Sequence, residues 1–139
     1  MTPDEARASE TREWMSKASD DLASARVLVV SGHLGNALFH CQQAAEKSLK
    51  GFLTYHQNPF RRTHDLGELG KACTAIDGSL AALVKQADAL SGFAWKLRYP
   101  GSPYAPDLKE AETMLALADD IFREVQGRLP EQATVGNQN

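Results

Sequence analysis

From Leu108 to Leu129, apolar side chains step by three and four without a gap: Leu108, Ala111, Leu115, Ala118, Phe122, Val125 and Leu129. At about 100° of rotation per residue, this spacing stacks them on one narrow helical face, the seam of a bundle or coiled coil. A strand would send alternate residues to opposite faces, and no stretch of the chain alternates with period two. The rest of the sequence repeats the helical pattern. Trp14, Ala18, Leu22, Ala25 and Val29 share a face of a first helix. It starts either at Thr2, with Pro3 in the first turn and Glu5 closing a capping box, or nearer Ser9. Gly32 and Gly35 bracket its end.

The second helix is expected from about Asn36 to His56, with Leu38, Cys41, Ala45, Leu49 and Phe52 inward. It stops before Asn58-Pro59, because a residue preceding proline is pushed out of the helical region. A basic loop from Phe60 to His64 follows, and Asp65 with Glu68 caps a short third helix through Ile76. A fourth helix carries Leu80, Leu83, Val84, Ala87, Leu90, Ala94 and Leu97 and breaks at Tyr99-Pro100-Gly101. Pro106-Asp107 opens the fifth. Four long amphipathic helices and one short one, joined by short turns, predict an all-α fold, an antiparallel four-to-five-helix up-and-down bundle. The domain is expected to span residues 1–130, and the polar residues 131–139 to fray as a flexible tail.

A chain of 139 residues with 42% apolar and 24% charged side chains is one domain with a real core. No apolar run approaches the roughly 18–20 residues of a membrane span, and the polar start is not signal-like. Cys41 and Cys73 lie within helical patterns and outside any metal-ligand spacing, as expected for buried, reduced thiols of a cytoplasmic protein. Glycine-rich phosphate loops are missing, and the four histidines are scattered without acidic partners in ligand spacing. Neither a metal nor another cofactor is expected.

Net charge is −3, so a nucleic-acid ligand would need positive charge gathered locally. It is gathered between His40 and His64. There Lys47, Lys50, Arg61 and Arg62 face one acid, Glu46, and three histidines are present, His40, His56 and His64. On the second helix Asn36, His40, Gln43, Lys47, Lys50 and Thr54 fall within a sector of roughly 80° away from the apolar face, with Phe39 and Glu46 at its edges. Such a stripe is either a solvated helix face or a surface for phosphate-bearing ligands, which Lys and Arg pair strongly. Glu46 and Lys47 could equally pair between helices as structure. Lys96-Leu97-Arg98-Tyr99-Pro100, followed by Tyr104, reads from the residues alone as a helix C-terminus, where Arg98 complements the macrodipole.

Taken together and in order, these segments carry a resemblance. Phe39-His40-Cys41-Gln42-Gln43-Ala44-Ala45-Glu46-Lys47-Ser48-Leu49-Lys50-Gly51 resembles the helix that defines HEPN domains. Arg62-Thr63-His64-Asp65-Leu66 resembles the loop after it, Leu97-Arg98-Tyr99-Pro100 the family's third marker, and Trp14 with Asp21-Leu22 its first helix. The resemblance implies a bundle like the substrate-binding domains of nucleotidyltransferases, often dimeric, in a small prokaryotic protein. Such proteins commonly partner a minimal nucleotidyltransferase, in some cases as a toxin–antitoxin or defence pair.

It marks Glu46, Lys47, Lys50, His64 and Arg98, with Tyr99 and Tyr104 nearby; together with His40 and Gln43 of the stripe and Arg61 and Arg62 of the basic loop these are the ligand-binding candidates. Many relatives are metal-independent endoribonucleases with an arginine followed at short spacing by a histidine. Here Pro103, Tyr104 and Ala105 stand at those distances after Arg98, and no histidine follows. Arg26 and His33 have the nominal spacing only inside the first helix, a chance match. The expectation is therefore a binding or regulatory subunit that recognises nucleotide or nucleic-acid phosphate and partners a nucleotidyltransferase. Its alternative is a ribonuclease using His64 and Arg98.

Overall fold

The computed structural model describes residues 1–97, 99–101 and 104–136. Among them there is no strand. The order is α1 (Pro3–Val30), α2 (Leu34–Tyr55), α3 (Leu66–Ile76), a 3-10 turn (Gly78–Leu80), α4 (Ala81–Ala87), a second 3-10 turn (Asp88–Ala94), α5 (Leu108–Gln126) and a third (Glu131–Ala133). The protein is an all-helical bundle, as its periodicity predicts.

The earlier of the two expected starts is the one used. Thr2 accepts the Glu5 N–H through its side chain while Glu5 reaches back to the Thr2 N–H, a complete capping box, with Pro3 at the first helical position. α1 then returns into α2 across Ser31–His33, where Gly32 takes a positive φ of 82°. The hairpin is antiparallel, because its pairings run in opposite directions: Arg7 meets Tyr55, Trp14 meets Lys50, and Asp21 meets Lys47 and His40. At Gly51 the two helices come close. A Cβ there would stand 2.8 Å from Met15 Sδ and 3.2 Å from Trp14 Cβ.

α2 is the central element. It packs on α1, α3, α5 and the second 3-10 turn. Thirteen of its 22 residues are buried, so polar groups outside its apolar face must also find partners. α3 starts as expected, with Asp65 accepting the Gly67 and Glu68 N–H groups.

Three expectations change. The fourth long helix is only the seven-residue α4, flanked by 3-10 turns. Ala87, Leu90 and Phe93 are all buried and recur every three residues, the period of a 3-10 helix rather than an α-helix. Ser91 accepts the Leu66 N–H there, and Gly92 adds little helical preference of its own. The seam of α5 is also wider and turned toward Leu117 and Ile121. Ala111, Ala118 and Val125 are buried as expected, but Leu115 and Phe122 are half-buried and Leu108 is exposed. Beyond Pro130 the chain packs as far as Val135 where fraying was expected. Ala133 is fully buried, Arg12 donates to the Gln132 carbonyl, and Gln126 exchanges two hydrogen bonds with Val135.

Candidate functional site

The polar stripe of α2 is a set of carboxylate-centred contacts, and it is not a solvated face. On its α1 side, Asp21 is buried in the helix–helix groove. Its Oδ1 lies 2.7 Å from His40 Nδ1, and its Oδ2 accepts from Lys47 Nζ at 2.6 Å. On the side of the loop after α2, Glu46 is only 3% exposed. Its Oε1 accepts from Gln42 Nε2 at 3.0 Å and lies 2.7 Å from His64 Nδ1, and its Oε2 accepts from Lys50 Nζ at 3.0 Å. Gln42 Nε2 also donates to the His64 carbonyl at 3.3 Å, and Gln43 donates to Gln42 Oε1 at 2.7 Å. The loop is thereby latched to the helix by both side chain and backbone.

Burial acts on the Glu46 carboxyl to raise its pKa. Hydrogen bonds from Gln42, His64 and Lys50, with the charge of Lys50, outweigh it and hold the group below the ordinary carboxylate value. An ionised carboxylate only accepts hydrogen bonds, so the His64 Nδ1 facing it carries the proton. In the neutral ring that leaves Nε2 as the basic nitrogen, on a side chain 65% exposed. Lys50 is buried, and its ammonium stands 5.7 Å from the Trp14 ring and 5.8 Å from the Phe60 ring.

The other candidates are distributed as follows. Arg61 is exposed and pairs with Glu68 at 2.7 Å, which raises the guanidinium and lowers the carboxylate from their usual values. Arg62 is exposed beside it. Tyr99 is exposed, while Tyr104 is half-buried against Phe93, with Lys96 Nζ 5.5 Å from its ring centre. Arg98 lies outside the described residues. Arg26 donates to Asp119 at 2.9 Å, while exposed His33 stands at the N-cap position of α2 with no side-chain cap hydrogen bond. The stripe thus joins His40, Gln43, Glu46, Lys47, Lys50 and His64.

Two residues of this site escaped the sequence reading. Asp21 is the hub of one contact set, and its signal was present: an acid between Ala18, Leu22 and Ala25 sits on the buried face of α1. Gln42 is fully buried, and nothing in its local pattern distinguishes it from a solvated glutamine. Cys41 and Cys73 are free and buried, and burial pushes both thiols up to about 12. Among the described residues no three His, Cys, Asp or Glu side chains gather as a metal centre needs. No helix among them is long and apolar enough to cross a membrane.

An antiparallel helical hairpin, closed by further helices and carrying two buried carboxylates each shared by a histidine and a lysine, defines a small helical-bundle module with a polar central helix. The family model for the HEPN domain matches residues 11–128. The chain belongs to the HEPN domain family. It is similar to an archaeal HEPN homologue, ST0689, whose crystal structure superposes with a TM-score of 0.69 at 27% identity, over 84% of this chain and 94% of that one. It is also similar to TT1696 from Thermus thermophilus, with a TM-score of 0.73 at 29% identity over 86% and 98%. No curated protein matches the sequence.

Proposed function

We propose that this HEPN domain is a binding module. It recognises the phosphate of a nucleotide or nucleic acid with the outer edge of α2 and the basic loop that follows. The observation that carries this reading is the His64–Glu46 latch at 2.7 Å, which, with the Gln42 bond to the His64 carbonyl, holds the loop bearing exposed Arg61, Arg62 and His64 against α2. Lys47 and Lys50 act one step back, since both are held by buried carboxylates, whereas the Arg61–Glu68 pair lies open to solvent. Anisotropy of a labelled mixed-sequence RNA tests it. Affinity should fall steeply with salt as counterions are released, and Arg61→Ala/Arg62→Ala should weaken binding at low salt. Salt-insensitive binding, or an unaffected double variant, refutes it.

The same module is proposed to form a homodimer and to dock a minimal nucleotidyltransferase, as one half of a toxin–antitoxin or defence pair. Exposed Val27 and Val30 on α1 support an apolar contact, and the exposed Tyr99 hydroxyl is a reachable nucleotidyl acceptor. An intact-mass measurement after co-expression with the neighbouring transferase tests the acceptor role; an unmodified mass removes it.

A second reading is favoured by one feature. A histidine oriented by a buried carboxylate through Nδ1, with Nε2 toward solvent, is the arrangement of a general base. As an endoribonuclease the protein would use His64 against a ribose 2′-hydroxyl, with Arg98 on the phosphate. RNA cleavage in EDTA, lost in both His64→Ala and Arg98→Ala, would establish it, and full cleavage by His64→Ala would sink it.

A further inference from the structure

At the end of the bundle where α1 begins and α2 finishes, a cleft of about 680 Å³ is lined by Arg7, Glu10, Trp14, Thr54, Asn58 and Phe60, among others. We infer that this cleft binds a planar aromatic molecule bearing a single carboxylate. It borders the basic loop at Phe60 and does not rest on the phosphate reading.

The volume lies in the range of small-ligand sites, roughly 300–1,000 Å³. One wall is aromatic. Trp14 and Phe60 meet edge to face with centroids 6.0 Å apart at 68°, and both remain half-buried, so ring surface is left for a third aromatic group. Arg7 supplies the charge. Its guanidinium lies 4.6 Å over the Tyr55 ring, a cation–π contact that restrains the side chain. Its Nε–H is screened from solvent and has no acceptor, which leaves the terminal amino groups of the fork to meet a ligand carboxylate. Its one ion pair is 3.4 Å from Asp4, whose side chain is 88% exposed, a weak competitor for an incoming carboxylate.

The charge count sets the ligand class. Glu10 stands in the same lining as Arg7, so the cleft is close to neutral and disfavours polyphosphates and nucleic acid. One carboxylate on the planar fork of Arg7 is matched in geometry as well as charge. Thr54 and Asn58 offer a hydroxyl and an amide to polar substituents on the ring. Gln57, also in the lining, holds a positive φ of 54°, a position where glycine is the easier residue.

The test is a titration of the ¹⁵N-labelled full chain with naphthalene-2-carboxylate, naphthalene-2-carboxamide and adenosine monophosphate in parallel. The carboxylate should shift the Trp14 indole N–H and the Arg7 Nε–H saturably, with binding at least about tenfold tighter than the amide's. Arg7→Gln should remove that preference and leave the rest of the spectrum in place. Equal affinity for the carboxamide, tighter binding of the nucleotide, full preference kept in Arg7→Gln, or no saturable shift would each overturn the assignment.

Discussion

The two histidine–carboxylate–lysine sets on α2 have the same composition and different mechanics. Asp21 reaches across from α1, so His40 and Lys47 tie one long helix to another. Glu46 draws its lysine from its own helix, four residues on, and its histidine from the loop. The first set is a clamp between two helices; the second is a latch of a loop onto a helix. Burial differs too: the Glu46 and Lys50 side chains are 5% and 10% exposed, while His40 and Lys47 retain 30% and 23%. Water can therefore replace a lost partner in the clamp more readily than under the latch. Chemically equal contacts become unequal through what surrounds them.

The largest expected effect follows from that difference. Glu46→Ala leaves the buried Lys50 ammonium beneath Trp14 and Phe60 without its counter-charge, and should cost roughly 3–5 kcal/mol in urea unfolding. Asp21→Ala leaves partners that reach solvent and should cost roughly 1–3 kcal/mol. A larger loss for Asp21→Ala would reverse the ranking and the account of burial behind it.

Acid probes the latch by another route. The Glu46 carboxyl is depressed in the folded protein from the ordinary value of 4.5. Its contribution to stability is therefore complete above that value and is lost as pH falls through the lower folded one. Urea midpoints taken from pH 7 to pH 3 should drop more steeply below about 4.5 for wild type than for Glu46→Gln. Parallel curves would show that this carboxylate is not the acid-sensitive element.

Much of this architecture was legible, because helix periods and caps are local. The capping box at Thr2, the Asp65 cap of α3 and the Asp107 start of α5 are each written within four residues. The mixed α and 3-10 stretch from Gly78 to Ala94 was not, since steps of three and four suit both helix types and Ser91 is recruited by Leu66 in another element. The site divides in the same way. Charge and spacing single out His40 and Lys47, but from pattern alone a solvated face and pairing between helices both stay open. A helical wheel of α2 alone does not contain Asp21 on α1 or the return of the loop over Glu46.

The latch has a readout of its own besides stability. His64→Ala removes one tie of the loop and should cost only about 1 kcal/mol, yet speed tryptic cleavage after Arg61 and Arg62 several-fold, because the adjoining backbone is freed to enter the protease. His40→Ala, on the clamp, should leave that rate unchanged. Equal acceleration by both would mean that the loop senses overall stability and not the Glu46 contact.

The smallest effect separates holding the loop from stabilising the fold. α2 ends in a Schellman motif: Gln57 N–H bonds to the Thr54 carbonyl and Asn58 N–H to the Leu53 carbonyl, with Gln57 in the left-handed region at φ 54°. A residue with a Cβ is strained there, so Gln57→Gly should gain about 0.5–1 kcal/mol, offset in part by the freer unfolded chain. Placed in the His64→Ala background, it should restore much of the lost stability and none of the protection from trypsin. Recovery of both would make the helix terminus, rather than the buried carboxylate, the element that fixes the basic loop.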